Sequence, residues 1–597
     1  MASRGVLALA ASAWLSSFAC TPEPEPGPSL GSREQGLTGG LAYELRDINP
    51  DGGSSLIFFN PHPVGNLVVF NADDGAHGYE PWVTDGTPAG TRMLADLNTG
   101  ASSSVDVLYG EVLGGRLYFR ADGTDNGSNV GFELYETDGT PGGTFLTRDL
   151  ALGTVSSNPL EFAPYTDPGG QQMLLFSASG NAVVSDTEPW GLSIQPDGGI
   201  LIARVADVDP GTFASFPTSF TSLNRVAYFL ALNPTSTVYS TTGAGATPRL
   251  TLPGYLYYLE AAGGRLYFRE VGRSNQYENL WSFEPDSGVA EVIADAGQNG
   301  TFTPHPQPLA NGSLLFDRDD GVHGMELWAT DGTAAGTSLV KDIYPGPAAS
   351  TPQVVGVLGG VGYLVAGTDA GASLWRSDGT PAGTSLVRRL DGAFLRAGLA
   401  LTPENLLLVG TQGVWVSDGT TAGTRVLPGV PVAYGMARAG PRVFFSGGGA
   451  DGVEPWALYV EDLTDVTAPS LTCPASVVVQ TDIPVAVVNL PAATASDAVS
   501  TPAVTYSPPS GSVFQLGTTS VTVTAVDRAG NSATCRFSVT VRAATDGGQD
   551  AGAGDGGGGG GPGGCGCSSA GGTAGVVLLA LLAAAVRWTP RRRRGSR

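Results

Sequence analysis

The sequence predicts an all-β protein built around a β-propeller-like repeat array of about seven to nine four-stranded blades. Three observations point there. The stretch ELWATDGTAAGT, from Glu326 to Thr337, recurs in weaker copies along most of the 597-residue chain, and seven of the nine tryptophans stand at its Trp position. Between copies, Val, Leu, Phe and Tyr fall in short runs bounded by Gly, Asp and Pro, the pattern of strands between tight turns. With 87 Gly and 42 Pro the chain is turn-rich, yet its 42% apolar content is ordinary for a globular protein and argues against disorder.

Aligned on the aromatic anchor, the copies fall at Trp82, Tyr135, Trp190, a degenerate one near Tyr239, then Trp281, Trp328, Trp375, Trp415 and Trp456. The copy ending near Leu390 offers four strands: Val354 to Leu358, Val361 to Ala366, Ser373 to Arg376 and Ser385 to Leu390. Four strands in about 47 residues is the size of a propeller blade. The Trp alternates into the interior, where a large ring fills the space between neighbouring sheets. The Asp-Gly that follows serves a tight reversal needing residues that tolerate positive φ, and the second Gly, as in Gly383, ends the loop. No blade can bury its apolar face alone, so the unit must be repeated.

The ends of the array favour a closed ring over an open solenoid. It begins with LAYELRDINP at Leu41, which reads as the last strand of a unit before any complete unit has appeared, and it ends with EPWALYVEDL, where the DGT loop is missing. An N-terminal strand completing the last blade hides both edges. The copies resemble the ELWxxDGT family of repeats, known as predicted surface-protein modules of myxobacteria and related bacteria, over residues 41–463. That resemblance implies a propeller-like fold and an exported location, and it brings no catalytic residues.

Charge and the chain ends address the protein to the outside. The formal net charge is −24, and setting aside Arg587, Arg591 to Arg594 and Arg597 leaves 25 basic against 55 acidic residues. Nucleic acid is therefore excluded as a natural partner. Residues 1–20 read as a signal peptide, with Arg4 before an apolar stretch from Val6 to Leu15 too short to span a bilayer. Cys20 after Ala19 resembles a lipoprotein cleavage site, although Ser17 stands where an aliphatic residue is expected; ordinary signal-peptidase cleavage is the alternative. Residues 21–40 form a Pro-rich tether.

After the array, residues 464–542 turn rich in Val, Thr and Ala. DVTAPSLTCP at Asp465, the run from Ser510 to Cys535 and FSVTV from Phe537 resemble the hyalin repeat (HYR), an immunoglobulin-like β-sandwich. The family implies adhesion; a spacer role fits the same residues. Cys473 and Cys535, both in an exported module of under 80 residues, are expected to form a disulfide stabilising it by roughly 4 kcal/mol. Residues 543–564 are a Gly-rich linker. In 565–597, Cys565 with Cys567, the apolar run Thr573 to Val586 and the arginine cluster resemble the MYXO-CTERM sorting signal. That implies processing near Cys565, a membrane-spanning helix and display at the cell surface with outer-membrane association; a plain single-pass anchor has the same topology.

Candidate chemistry is sparse. His77 and His323 each precede an anchor Trp by five residues, and repetition argues for a loop role, since a catalytic group would be unique. The loop DRDDGVHGME places Asp317, Asp319, Asp320 and Glu326 as calcium-ligand candidates, without EF-hand spacing. Apart from calcium no cofactor is indicated, and no GxSxG, HExxH, P-loop or Cys-His metal spacing occurs in the mature region. The sequence thus points to a non-enzymatic cell-surface binding or adhesion protein, its partner an extracellular glycan or protein. The alternative is a secreted polysaccharide hydrolase or lyase with a site in the propeller channel.

Overall fold

Each repeat folds into one antiparallel four-stranded sheet. In the computed structural model the unit anchored by Trp375 shows how: Gln353–Leu358, Val361–Thr368, Gly371–Ser377 and Ser385–Arg389 lie side by side in chain order. A two-residue turn at Gly359 and Gly360, with φ of 58° and 81°, joins the first two strands, since only glycine takes two successive left-handed conformations without strain. The structure describes residues 42–544 apart from 51–52, 57–58, 106, 126, 181–185, 211–213, 233–235, 274–277, 296–306, 370, 391–394, 403–404, 428–432, 450–451, 464 and 466. The signal peptide, Cys20, the tether, Cys565 and the sorting segment lie outside the described residues. Among those described, no helix is long and apolar enough to cross a membrane.

Nine such sheets form blades 1 to 9, spanning 62–93, 110–148, 160–204, 218–251, 255–295, 307–341, 353–389, 395–426 and 433–459. The degenerate copy around Tyr239 is a full blade, the fourth. The ninth holds three strands from its own repeat and takes its fourth from the N-terminus: Ala42–Glu44 pairs antiparallel with Gly452–Tyr459, Tyr43 opposite Ala457. The ring therefore closes as its two incomplete ends predict.

Apolar clusters between adjacent blades hold the ring. Val68, Phe70 and Trp82 of blade 1 meet Phe444 and Ala457 of blade 9, and Tyr363, Val365 and Leu374 of blade 7 meet Leu406, Leu408 and Trp415 of blade 8. Trp82, Tyr135, Trp190, Trp281, Trp328, Trp375, Trp415 and Trp456 each join the cluster on the side of the preceding blade, the wedge role their alternation predicts. Burial of a ring this size is the largest apolar contribution a strand position can make.

The module after the ring is a small β-sandwich. Val477–Thr481, Ser532–Ala543, Gly517–Val526 and Ala503–Ser507 make one sheet, and Val485–Val488 pairs with Ser512–Gln515 opposite it. Phe514, Val521, Val523, Phe537 and Val539 fill the core beside the Cys473–Cys535 disulfide, whose Cα atoms are 5.8 Å apart.

Candidate functional site

The recurring polar residues of the repeat build the scaffold. In the DGT loops, Asp138, Asp331 and Asp378 each accept the amide and the hydroxyl of the Thr two residues on, Thr140, Thr333 and Thr380. The hydroxyl bond is the first cause holding all three carboxyls below their ordinary range. The middle Gly has positive φ, 85° at Gly139 and 91° at Gly332. Any Cβ at the second Gly, Gly143 or Gly383, would collide with the carboxylate of its own loop.

The Glu two residues before the anchor has a role that sequence reasoning missed. Glu80, Glu133, Glu188, Glu326 and Glu454 are all buried. Each grips the segment that crosses to the next blade. Glu326 accepts the Ile343 amide at 2.7 Å, the Ser350 amide at 2.9 Å and the Ser350 hydroxyl at 2.7 Å. Glu133 does the same with Leu150 and Ser157, Glu80 with Leu97 and Ser104, and Glu188 with Val208 and Ser215. Glu454 reaches round the seam to Ile48 and Ser55. Burial raises these carboxyls against the opposing pull of their donors, Glu80 to about 8, Glu454 to about 7 and Glu133 to about 6. A signal existed: a Ser stands 24 residues after the Glu at Ser104, Ser157 and Ser350.

The four calcium candidates are not brought together. In the pairing of Leu314–Asp319 with Met325–Thr330, Glu326 stands opposite Arg318, so it occupies the sheet face away from Asp317 and Asp319. Asp320 caps its own loop through the Val322 and His323 amides and holds the His323 ring at 2.8 Å. That bond raises the histidine, and Asp320 itself sits at about 2, burial being outweighed by its bonds to His323 and Val322. His77 stands 3.5 Å from Asp74 in the equivalent loop. His62 is half-buried, pushed down to about 4 by desolvation, and bonded to the Leu108 carbonyl.

Two other carboxylate groups do converge among the described residues. Asp186, Glu188 and Asp207 surround the Arg204 guanidinium, at 3.1, 3.8 and 2.9 Å, so a cation is already built in. Asp465, Asp497 and Asp527, at the ring end of the sandwich, bring oxygens within 4.8 Å of one another. Three ligand oxygens fall short of the six to eight that calcium takes.

The strand directions give the ring two unlike faces. The DGT loops lie on one. The crossing segments, the starts of the innermost strands and the DDGxHG loops lie on the other. The sandwich attaches at the DGT face: Arg528 forks onto Asp462 at 2.8 and 2.9 Å and lies 3.9 Å over the ring of Tyr459, the last residue of its strand. Tyr459 in turn receives Arg442, which also donates to the Asp85 carbonyl of the first DGT loop.

Residues 464–541 match the HYR domain family. No curated protein matches the chain. Among solved structures it is similar to a prolyl endopeptidase, at 12% identity and a TM-score of 0.34, over 62% of this chain but 56% of that one. It is also similar to the β-propeller domain of the Trilobed protease from Pyrococcus furiosus, at 11% and 0.30, over 52% of this chain and 97% of that one. The extracellular domain of a one component system from B. thetaiotaomicron gives 9% and 0.30, over 80% of this chain and 72% of that one.

Proposed function

We propose that this chain is a non-enzymatic, surface-displayed binding or adhesion protein, in which the ring presents a recognition face and the HYR module carries it. The observation that supports this most directly is polarity. The HYR module attaches at the DGT face, so the crossing segments and copy-specific loops of the opposite face point away from the point of attachment. A second support is that the repeated acids are engaged by the backbone. Glu326 and its equivalents are locked in crossing segments and the DGT aspartates in their turns, while both converging carboxylate groups lie off the innermost strands. The HYR match and the N-terminal signal fit an exported protein, and the C-terminal Cys565 segment fits retention on the envelope.

The test is to express the complete chain in a host that processes such signals, alongside a chain ending at Gly564. The complete chain is expected on the cell surface and the shortened one in the medium. Retention of the shortened chain on cells would make Cys20 the anchor, and release of sugar from a polysaccharide panel by the purified complete chain would overturn the non-enzymatic reading.

A further inference from the structure

Resting on that binding reading, we infer that the crossing-segment face over blades 3 to 5 carries a saccharide-binding strip that takes an acidic sugar chain, with Phe216 and Tyr255 as stacking rings and Arg273 as the carboxylate receiver.

The strip is defined by register. The innermost strands Leu160–Thr166, Thr218–Leu223 and Tyr255–Ala262 belong to adjacent blades, and each carries a bulge near its start. The extra residue is Glu161, Ser219 and Tyr258, with φ of 57°, 54° and 57°. Counting back three residues puts Asn158, Phe216 and Tyr255 at equivalent positions at the starts of the innermost strands of adjacent blades. Asn158 and Phe216 share the same left-handed conformation, φ 47° and 48°. Non-glycine residues hold such angles at a cost, and phenylalanine has no local hydrogen bond to compensate. Thr351, which follows Ser350 at the start of blade 7 as Asn158 follows Ser157, has φ 46° as well, so what sets the arc over blades 3 to 5 apart is its side chains.

What the arc exposes is aromatic. Among the described residues, four aromatic side chains are more than a third exposed, and three of them are here: Phe216 at 51%, Tyr255 at 37% and Tyr257 at 39%. Polar groups lie between them, including Asn158, Thr218 and a Ser219 amide that donates to Glu161 Oε2 at 2.8 Å. Flat rings separated by hydrogen-bonding groups suit the alternating C–H faces and hydroxyl rims of sugar rings better than the continuous apolar patch a protein partner needs.

The charge of the ligand is read from Arg273. Its Nε donates to the Pro253 carbonyl at 2.7 Å and its guanidinium carbon lies 5.0 Å from the Tyr255 ring centre, which fixes the group beside the strip. Among the described residues Arg273 forms no ion pair with a carboxylate, as is also true of Arg225, Arg388 and Arg438, which donate to backbone carbonyls. What recommends Arg273 is its place: an exposed guanidinium held against the Tyr255 ring has the planar fork that suits an external carboxylate. Glu161, at the far end of the strip, is engaged by the Ser219 amide.

The test uses the complete chain and calorimetric titration with an alginate oligosaccharide, an uncharged cello-oligosaccharide of equal length, and polyglutamate. Wild type should bind alginate most tightly. Arg273→Gln should weaken alginate roughly tenfold or more while leaving the neutral sugar unchanged, since one charge-assisted contact is lost. Tyr255→Ala and Phe216→Asn, the latter copying Asn158, should weaken both sugars. Melting temperatures equal to wild type verify folding. Alginate affinity insensitive to all three variants, polyglutamate binding as tight as alginate, or no saccharide binding at all overturns the inference. Attachment of cells displaying the chain to protein-coated and polysaccharide-coated surfaces is scored separately, so the surface-binding reading can survive that failure or fall independently.

Discussion

At the scale of single residues, the five buried glutamates decide how the ring is wired. A carboxyl group presents two oxygens to the three donors that meet Glu326, where an amide presents only one. Glu326→Gln turns a donor toward the Ile343 and Ser350 amides, and it is expected to lower stability by on the order of 3 kcal/mol, read as a fall in the denaturant midpoint at unchanged slope. An unchanged midpoint would show that the crossing segment does not depend on this side chain. Trp and Asp-Gly were legible in the sequence because their jobs are local: a ring alternates inward and a turn needs positive φ. The Glu was not, because its partner Ser350 lies 24 residues away, beyond the reach of local pattern reasoning. The bulged Glu161, Ser219 and Tyr258 were likewise hidden, since backbone strain leaves no mark on residue type.

At the scale of elements, the DGT loop explains which letters of the repeat are free. Copies read TPAGT, TAAGT and TTAGT, but the second blade reads TPGGT, with Gly142 before Gly143. A Cβ at Gly142 meets nothing within 4 Å, whereas one at Gly143 drives into the Asp138 carboxylate. Gly142→Ala is therefore expected to change stability by less than about 0.5 kcal/mol, and Gly143→Ala to cost about 1–3 kcal/mol. Equal melting temperatures for the two variants would refute that reading of the loop. Strand positions were recovered nearly to the residue in the unit of Trp375, because Gly-Gly and Asp-Gly pairs punctuate it on both sides. In the acidic DRDDGVHGME loop the acids part company: Asp320 serves the turn, and strand register puts Asp317 and Glu326 on opposite faces.

At the scale of the whole molecule, the same carboxylates set how stability responds to pH. Glu133, Glu454 and Glu80 have folded values raised to about 6, 7 and 8 from 4.5, so the native ring binds more protons than the unfolded chain across that interval. Their contribution is complete below 4.5 and is lost as pH rises through the three values. The loop aspartates act in the opposite sense. Asp320 is held at about 2 against an ordinary 3.8, and Asp138, Asp331 and Asp378 are held below it, so their contribution is present above 3.8 and is lost as pH falls. Between them, the two sets favour mildly acid pH, with a long decline on the alkaline side. Calorimetric melting of the complete chain at constant ionic strength should show the transition falling steadily from pH 5 to pH 8.5. Glu80→Gln should lower the melting temperature at pH 5 and flatten the upper part of that decline, because the group with the highest folded value no longer titrates. A transition independent of pH over that range would mean that the crossing-segment donors hold these glutamates ionised at ordinary values, and that the ring is closed by carboxylates at no cost in desolvation.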